Sequence, residues 1–240
     1  MTAHHGPQSW LTQIPGLPTD EKLIHVNGAI IIFVVILLIA VFARMAINKG
    51  IEKLVVPNPK PSIAGMIDVL VEGLYNTVVG ILGHHGEQYF AFIASLFLFV
   101  LISNLMGILP HSHSPSSSLN TTVALGLASF VYYNLHGIKA HGLIGYGKHF
   151  LMGMGILGVP IAAFELLSHV LRPATLGLRL FLNMTIDHLL AGSFADLFKW
   201  VLPVPLLLFG IVVCTIQAFL FAVLTSVYVQ MATEHEEEHH

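Results

Sequence analysis

From Val201 to Ala232 the chain runs for 32 residues without one charged side chain. As a helix that run would be ~48 Å long, well beyond the ~30 Å hydrocarbon core of a bilayer. A membrane makes such a stretch ordinary. Lipid leaves the backbone no partner but itself, and a helix satisfies its interior N–H and C=O groups within one segment. Three more runs of bilayer length precede it: Val26 to Ala43 with 18 residues, closed by Arg44; Tyr89 to Leu109 with 21, closed by Pro110; and Leu119 to Leu135 with 17, ended by His136 and Gly137. Only 10% of the chain is charged and 55% is hydrophobic, against about 25% charged in soluble domains, which excludes an ordinary globular protein. The net charge of −3 speaks against a nucleic-acid partner. The single cysteine, Cys214, lies inside an apolar run, so neither a disulfide framework nor a cysteine-based zinc site is available.

Residues 1–25, with His4, His5, Pro7, Pro15 and Pro18, lack the basic start and short apolar core of a signal peptide. They read as a polar lead-in, and the first apolar run as a retained span. Residues 63–83 differ. Ile63, Met66, Ile67, Leu70 and Leu74 recur every three or four positions with Asp68 and Glu72 between them, which predicts an interfacial or packed amphipathic helix. Arg44, Lys49, Lys53 and Lys60 crowd the loop after the first span, and Lys139 and Lys148 follow the third, whereas His111 to Ser118 holds no Lys or Arg. The positive-inside rule then puts the N-terminus outside and both basic loops in the cytoplasm. Five spans leave the tail with Glu234, Glu236, Glu237 and Glu238 in the cytoplasm; six would put it outside. Five are favoured.

Phe150 to Ala195 is an apolar stretch of 46 residues that nevertheless carries Glu165, His169, Arg172, Arg179, Asp187 and His188. It is either two spans or one steeply tilted helix, with Pro160 and Pro173 as places to bend. An arginine at mid-membrane costs ~2.5–3.5 kcal/mol on insertion scales, so the pattern needs a reason. At 100° per residue, Glu165, Arg172, Thr175, Arg179 and Asn183 all fall within about 40° of Arg179. Asp187 and His169 lie about 80° round, and His188 points to the far side. A purely structural account pairs Glu165 with His169 or Arg172, and Arg179 with Asp187. Intramembrane ionisable residues are functional sites by default, and one polar stripe on a greasy helix points to an ion or proton path.

The segment Leu171-Arg172-Pro173-Ala174-Thr175-Leu176-Gly177-Leu178-Arg179-Leu180-Phe181-Leu182-Asn183-Met184 closely resembles subunit a of the F-type rotary ATP synthases, with its signature R/K-P-x-S/T-L-x-x-R-L-F-x-N-M. Ile216-Gln217-Ala218-Phe219 with Val227-Tyr228, and Asn104-Leu105-Met106-Gly107-Ile108-Leu109-Pro110, extend the resemblance over roughly residues 89–232. Residues 1–60 match only in character. The resemblance implies an all-α polytopic membrane protein of about five spans plus an amphipathic helix. Two long tilted helices, near 150–195 and 201–232, would pack as a hairpin facing the c-ring. It implies a stator that couples proton flow through two offset half-channels to ring rotation, with the c-ring subunits, the peripheral stalk subunit b and the lipid bilayer as partners.

The same resemblance assigns residues. Arg179 matches the essential arginine, Asn183 and Gln217 the polar pair beside it, and Glu165, with Ser168 nearby, a carboxylate of the cytoplasmic half-channel. Thr175 stands where the family has Ser or Thr, and Arg172 opens the motif. One place departs from the pattern. Many bacterial members have Gly-Glu eight and nine residues after the arginine and a His seven before the glutamine; here the positions are Asp187-His188 and Gly210. Asp187 and His188 are therefore expected to supply the protonatable steps of the outer half-channel.

No Gly-rich phosphate loop is present, so the chain is expected to have no catalytic nucleotide site, and no metal or cofactor is expected. The division expected is a lead-in over 1–25, spans and interfacial helix over 26–149, a translocating hairpin over 150–232 and an acidic, His-bearing tail over 233–240. The expected location is a bacterial inner membrane rather than an organellar one. Two other classes fit less well. An unrelated secondary ion transporter predicts inverted repeats, and none is detectable. An intramembrane His-metal enzyme needs repeated His boxes, and the apolar runs hold none.

Overall fold

The computed structural model describes residues 24–48, 63–83, 86–108, 114–151, 158–197 and 203–233, and every element in them is helical. The helices are α1 (Ile24–Asn48), α2 (Ile63–Leu82), α3 (Gly86–Ile108), α4 (Leu119–Leu151), α5 (Gly158–Leu197) and α6 (Pro203–Thr233), with a 3₁₀ turn, η1 (Pro115–Ser117), before α4. Ser114 caps η1, its side-chain oxygen accepting from the Ser116 N–H. Gly86–Ile108 and Leu207–Thr233 are long and apolar enough to cross a membrane, and His25–Val41 is apolar but shorter.

One core gathers α2, α3, α5 and α6. Leu74 and Val78 of α2 pack with Ile93, Phe97 and Val100 of α3, Leu176 and Leu180 of α5, and Ala218, Phe221 and Ala222 of α6. On α2, Asp68 and Glu72 are exposed while Leu74 and Val78 are buried; Leu70, which the periodicity puts on the same face as Leu74, is 38% exposed, and the side chains of Ile63, Met66 and Ile67 lie outside the described residues. The Tyr75 hydroxyl donates to Glu87 Oε1 at 2.9 Å, tying α2 to the start of α3. Outside the core, α1 shows Ile30, Phe33, Val34 and Leu37 to its surroundings, as a helix bathed in lipid does.

The 46-residue apolar stretch contains one continuous helix, α5, from Gly158 to Leu197. Pro160 lies in its first turn, where a missing N–H breaks no hydrogen bond, so it starts the helix rather than bending it. Pro173 is the proline inside. The third apolar run also continues beyond its expected end. His136 and Gly137 lie within α4, and the break comes at Gly142, whose φ of 72° only glycine adopts freely. Gly137 serves packing instead: a Cβ there would stand 2.9 Å from the Ala232 carbonyl oxygen of α6.

The long helices do not pack mainly on each other. α5 lies chiefly along α4, while α6 lies chiefly along α3 and α4, and α5 meets α6 over a shorter stretch. Small residues set the α4–α5 spacing, as is usual where lipid removes the hydrophobic drive between helices. The Pro173 carbonyl occupies the place of a Cβ at Gly126, and a Cβ at Gly177 would be 2.7 Å from the Thr122 carbonyl oxygen. Across the α4–α6 contact the Ser129 hydroxyl donates to Thr225 Oγ1 at 3.1 Å.

A valine at Gly126 or Gly177 is therefore expected to separate α4 from α5 at a cost of about 1–3 kcal/mol. Gly80→Ala, where nothing lies within 4 Å of the new Cβ, is the control expected to be tolerated. The amount of intact protein recovered from membranes in mild detergent checks this; equal recovery of all three variants would refute the close approach.

Candidate functional site

Leu176, Leu180 and Met184 recur at every fourth position of α5 and are 3%, 0% and 3% exposed, which fixes the helix rotation. The polar stripe falls at the margin of that packed face. Ser168, Thr175 and Arg179 are exposed, whereas Arg172, Asn183 and Asp187 are half-buried and His169 is buried. Leu178, Leu182 and Ile186 surround Arg179 on the open side. The guanidinium thus sits on an apolar surface and not in the core.

Asn183 and Gln217 meet across the α5–α6 contact. Asn183 Nδ2 donates to Gln217 Oε1 at 2.7 Å, joining α5 to α6 one turn beyond Arg179. Gln217 is 4% exposed, so its amide needs this partner: a buried amide without one costs about 1–3 kcal/mol. The turn that carries the arginine is held by a polar bond on one side and by Leu180 on the other.

The mutual neutralisation of the stripe is not what the described residues form. His169 Nε2 lies 2.9 Å from Asn134 Oδ1 of α4, and the Arg172 guanidinium carbon stands 5.3 Å from the ring centroid of Tyr228 on α6. Among the described residues Arg179 enters no ion pair. Glu165 and His188 lie on α5, but their side chains fall outside the described residues. At Gly210 a Cβ would make an ordinary contact, 3.7 Å from Ile108 Cδ1.

Asn134 is the residue that pattern reading passed over. It is an amide inside the apolar run Leu119–Leu135, and a polar group there costs energy unless it is bonded, a signal that was available. Among the described residues no three of His, Cys, Asp and Glu are grouped closely enough to hold a metal ion. What the site offers is one permanent positive charge on an apolar surface, two bonded amides beside it, and a half-buried carboxyl two turns on.

Comparison with known proteins fits this arrangement. Residues 29–230 match the family model described as ATP synthase A chain. The ATP synthase subunit a of Bdellovibrio bacteriovorus is 35% identical over 228 residues, which cover 95% of this chain and 98% of that protein. That of a Sulfurihydrogenibium species is 37% identical over 214 residues, 89% of this chain and 98% of the relative. The ATP synthase subunit a 1 of Pelobacter propionicus is 39% identical over 172 residues, 72% and 75% of the two chains. A match that spans nearly the whole of both chains and contains Arg179, Asn183 and Gln217 leaves one assignment: the chain belongs to the ATP synthase subunit a family.

Proposed function

We propose that this chain, a stator subunit of the F-type membrane sector, passes protons through two offset half-channels that meet at Arg179. The observation that carries the reading is the exposed Arg179 beside the 2.7 Å Asn183–Gln217 bond, on a surface otherwise made of Leu178, Leu182 and Ile186. A charge so placed is costly in lipid and is stabilised when a carboxylate faces it. A carboxylate carried past by a rotor ring would meet a fixed positive charge, which lowers its pKa and releases its proton. The same charge repels a free proton and so blocks a direct leak between the half-channels. Each proton crossing 100 mV delivers ~2.3 kcal/mol, the work taken up by rotation.

The remaining residues fall on either side of Arg179. Glu165 and Ser168 serve the cytoplasmic half-channel, with Thr175 and Arg172 in support; Asp187 and His188 serve the outer one. The c-ring lies against the exposed face of α5, and subunit b anchors the stator. Five spans, α1, α3, α4, α5 and α6, put the N-terminus outside and the tail inside, in a bacterial inner membrane as the bacterial relatives suggest. Nucleotide chemistry takes place elsewhere in the assembly.

Arg179→Ala is expected to abolish ATP-driven acidification of membrane vesicles while the complex still assembles. Arg179→Lys should fail nearly as badly, because a desolvated ammonium can lose its proton where a guanidinium does not. Acidification at the unsubstituted rate in either variant would sink the reading. Topology is tested by one-sided labelling of single cysteines in a Cys214→Ser background: one between Arg44 and Lys60, one after Ala232. Both should react from the cytoplasmic side, and opposite sidedness would mean an odd number of crossings between them, with residues 150–195 crossing twice.

The relay has its own test. A histidine near its ordinary pKa of ~6.5 takes up and gives up protons at neutral pH, so His188→Ala should slow proton flux by about tenfold or more. Asp187→Asn should slow it less, with a change in pH dependence. Gly210→His, whose Cβ would make only an ordinary contact with Ile108, should restore part of the flux in the His188→Ala background. Flux measured from pH 5.5 to 8 decides, and an unchanged rate in the Asp187→Asn, His188→Ala double variant would end the relay idea.

A further inference from the structure

A second polar cluster lies on the packed side of α5, away from Arg179. His169 is 6% exposed, and its ring centroid is 5.3, 5.3 and 6.4 Å from those of Phe130, Tyr133 and Tyr146 on α4. The orientation of Asn134 within this cluster is fixed from two directions. Its Nδ2 donates to the Phe130 carbonyl at 2.7 Å, and its Oδ1 accepts from the Tyr146 hydroxyl at 3.0 Å. The same Oδ1 lies 2.9 Å from His169 Nε2. An acceptor on Asn134 requires a donor on the imidazole, so His169 carries a hydrogen on Nε2.

The position of the cluster along α5 gives it a consequence. Arg172, one turn on, stacks over Tyr228 of α6. Pro173 follows and has no N–H, so the His169 carbonyl loses the helical partner that residue 173 would otherwise supply. A proline inside a helix is where bending is easiest. Beyond it, α5 is held again by the close approaches of Pro173 to Gly126 and of Gly177 to Thr122. The weak point of α5 is therefore clamped on both sides, by His169–Asn134 before the proline and by the glycine contacts after it. Packing alone does not require a histidine here, since an apolar side chain would suit three surrounding rings. A hydrogen bond adds direction, which a greasy contact lacks.

We propose that His169 is a positioning residue. Its Nε2–H bond to Asn134, backed by Tyr146, fixes the rotation of the half of α5 before Pro173 against the half after it. Ser168 and Arg179, eleven residues apart and both exposed, then face the same way along the translocating surface. The proposal rests on the proton-path reading given above. It assigns His169 no proton transfer. Among the described residues, the polar and titratable groups near the ring include Arg172 on its own helix, Tyr133, Asn134 and Tyr146 on α4, and Tyr228 beyond Arg172 on α6; the Glu165 side chain, one turn before it on α5, lies outside the described residues.

The test compares His169→Gln with His169→Met in vesicles holding the whole synthase, with ATP-driven acidification expressed per assembled complex. The two side chains match in length and neither titrates, but only Gln offers an N–H to Asn134. Gln is expected to keep most of the rate and the pH profile from 5.5 to 8. Met should lose about fivefold, the factor that one hydrogen bond of ordinary strength is worth. Failure of Met to assemble while Gln assembles and pumps also supports the clasp. A Met variant as fast as the parent overturns it. So does a Gln variant that is slow, that fails to assemble, or that shifts the pH profile, the last being the mark of a relay. Arg179→Ala in the same vesicles keeps the two readings apart. Pumping there defeats the proton-path reading, whereas its loss there beside a fully active His169→Met defeats only the clasp.

Discussion

Arg179 puts a guanidinium on a helix that otherwise packs through apolar side chains, and the packing of α5 is arranged around that fact. A guanidinium stays protonated at any pH a cell meets, and taking it into a dry core without a partner costs several kcal/mol. α5 avoids the cost by rotation. Leu176, Leu180 and Met184 are drawn into contact with α3, α4 and α6, and that fixes Arg179 on the outside by helical geometry alone. The close approaches at Gly126 and Gly177 keep the rotation from drifting, because a helix seated backbone to backbone has little freedom to roll. The charge is thus placed by residues that never touch it.

The two faces of α5 divide the work. On the packed side, polar groups are bonded in place: Asn183 to Gln217, His169 to Asn134, Arg172 over Tyr228. On the open side, Ser168, Thr175 and Arg179 are exposed. A bonded, buried polar group holds helices in register, whereas an exposed one in an apolar surrounding is available to whatever passes. Arg172 and Arg179 show the contrast within one motif. They fall within about 20° of each other on a helical wheel, yet among the described residues only Arg172 is engaged by an aromatic ring.

Most of α5 was legible in the sequence because its signals are strong and local. A charge in an apolar run is rare, and 3.6-residue periodicity shows which charges share a face. Helix ends were harder. Gly137 resembles a terminator but fills a place where α6 comes too close for any side chain, and that contact is 95 positions away in the chain. Pro160 resembles a bend but sits in a first turn, where proline is at home. In both cases one residue type serves two physical purposes, and only the tertiary neighbour or the true start of the helix decides between them. Partners of the stripe are no easier to read. Helical geometry places residues of one helix relative to each other, but the partners of His169 and Arg172 came from α4 and α6.

The departure at Asp187, His188 and Gly210 follows from how a proton path is specified. Each transfer requires donor and acceptor within about 2.6–3.2 Å of each other or of one shared water. It does not matter which helix carries a group, provided the group reaches the gap. Neighbouring residues on a helix point about 100° apart, so Asp187 and His188 together cover a wide arc from α5 alone. In the commoner arrangement that arc is divided between an acid on one helix and a histidine on the other. On the proposed path, having both on α5 would leave the α6 position free to be glycine; a Cβ at Gly210 would meet only Ile108, at ordinary contact distance. Where side chains on the proposed path do not reach each other, a water can bridge the transfer. On the proposed path, what matters is therefore the spacing of protonatable groups between α5 and α6, and such a group can sit on either helix as long as the spacing survives.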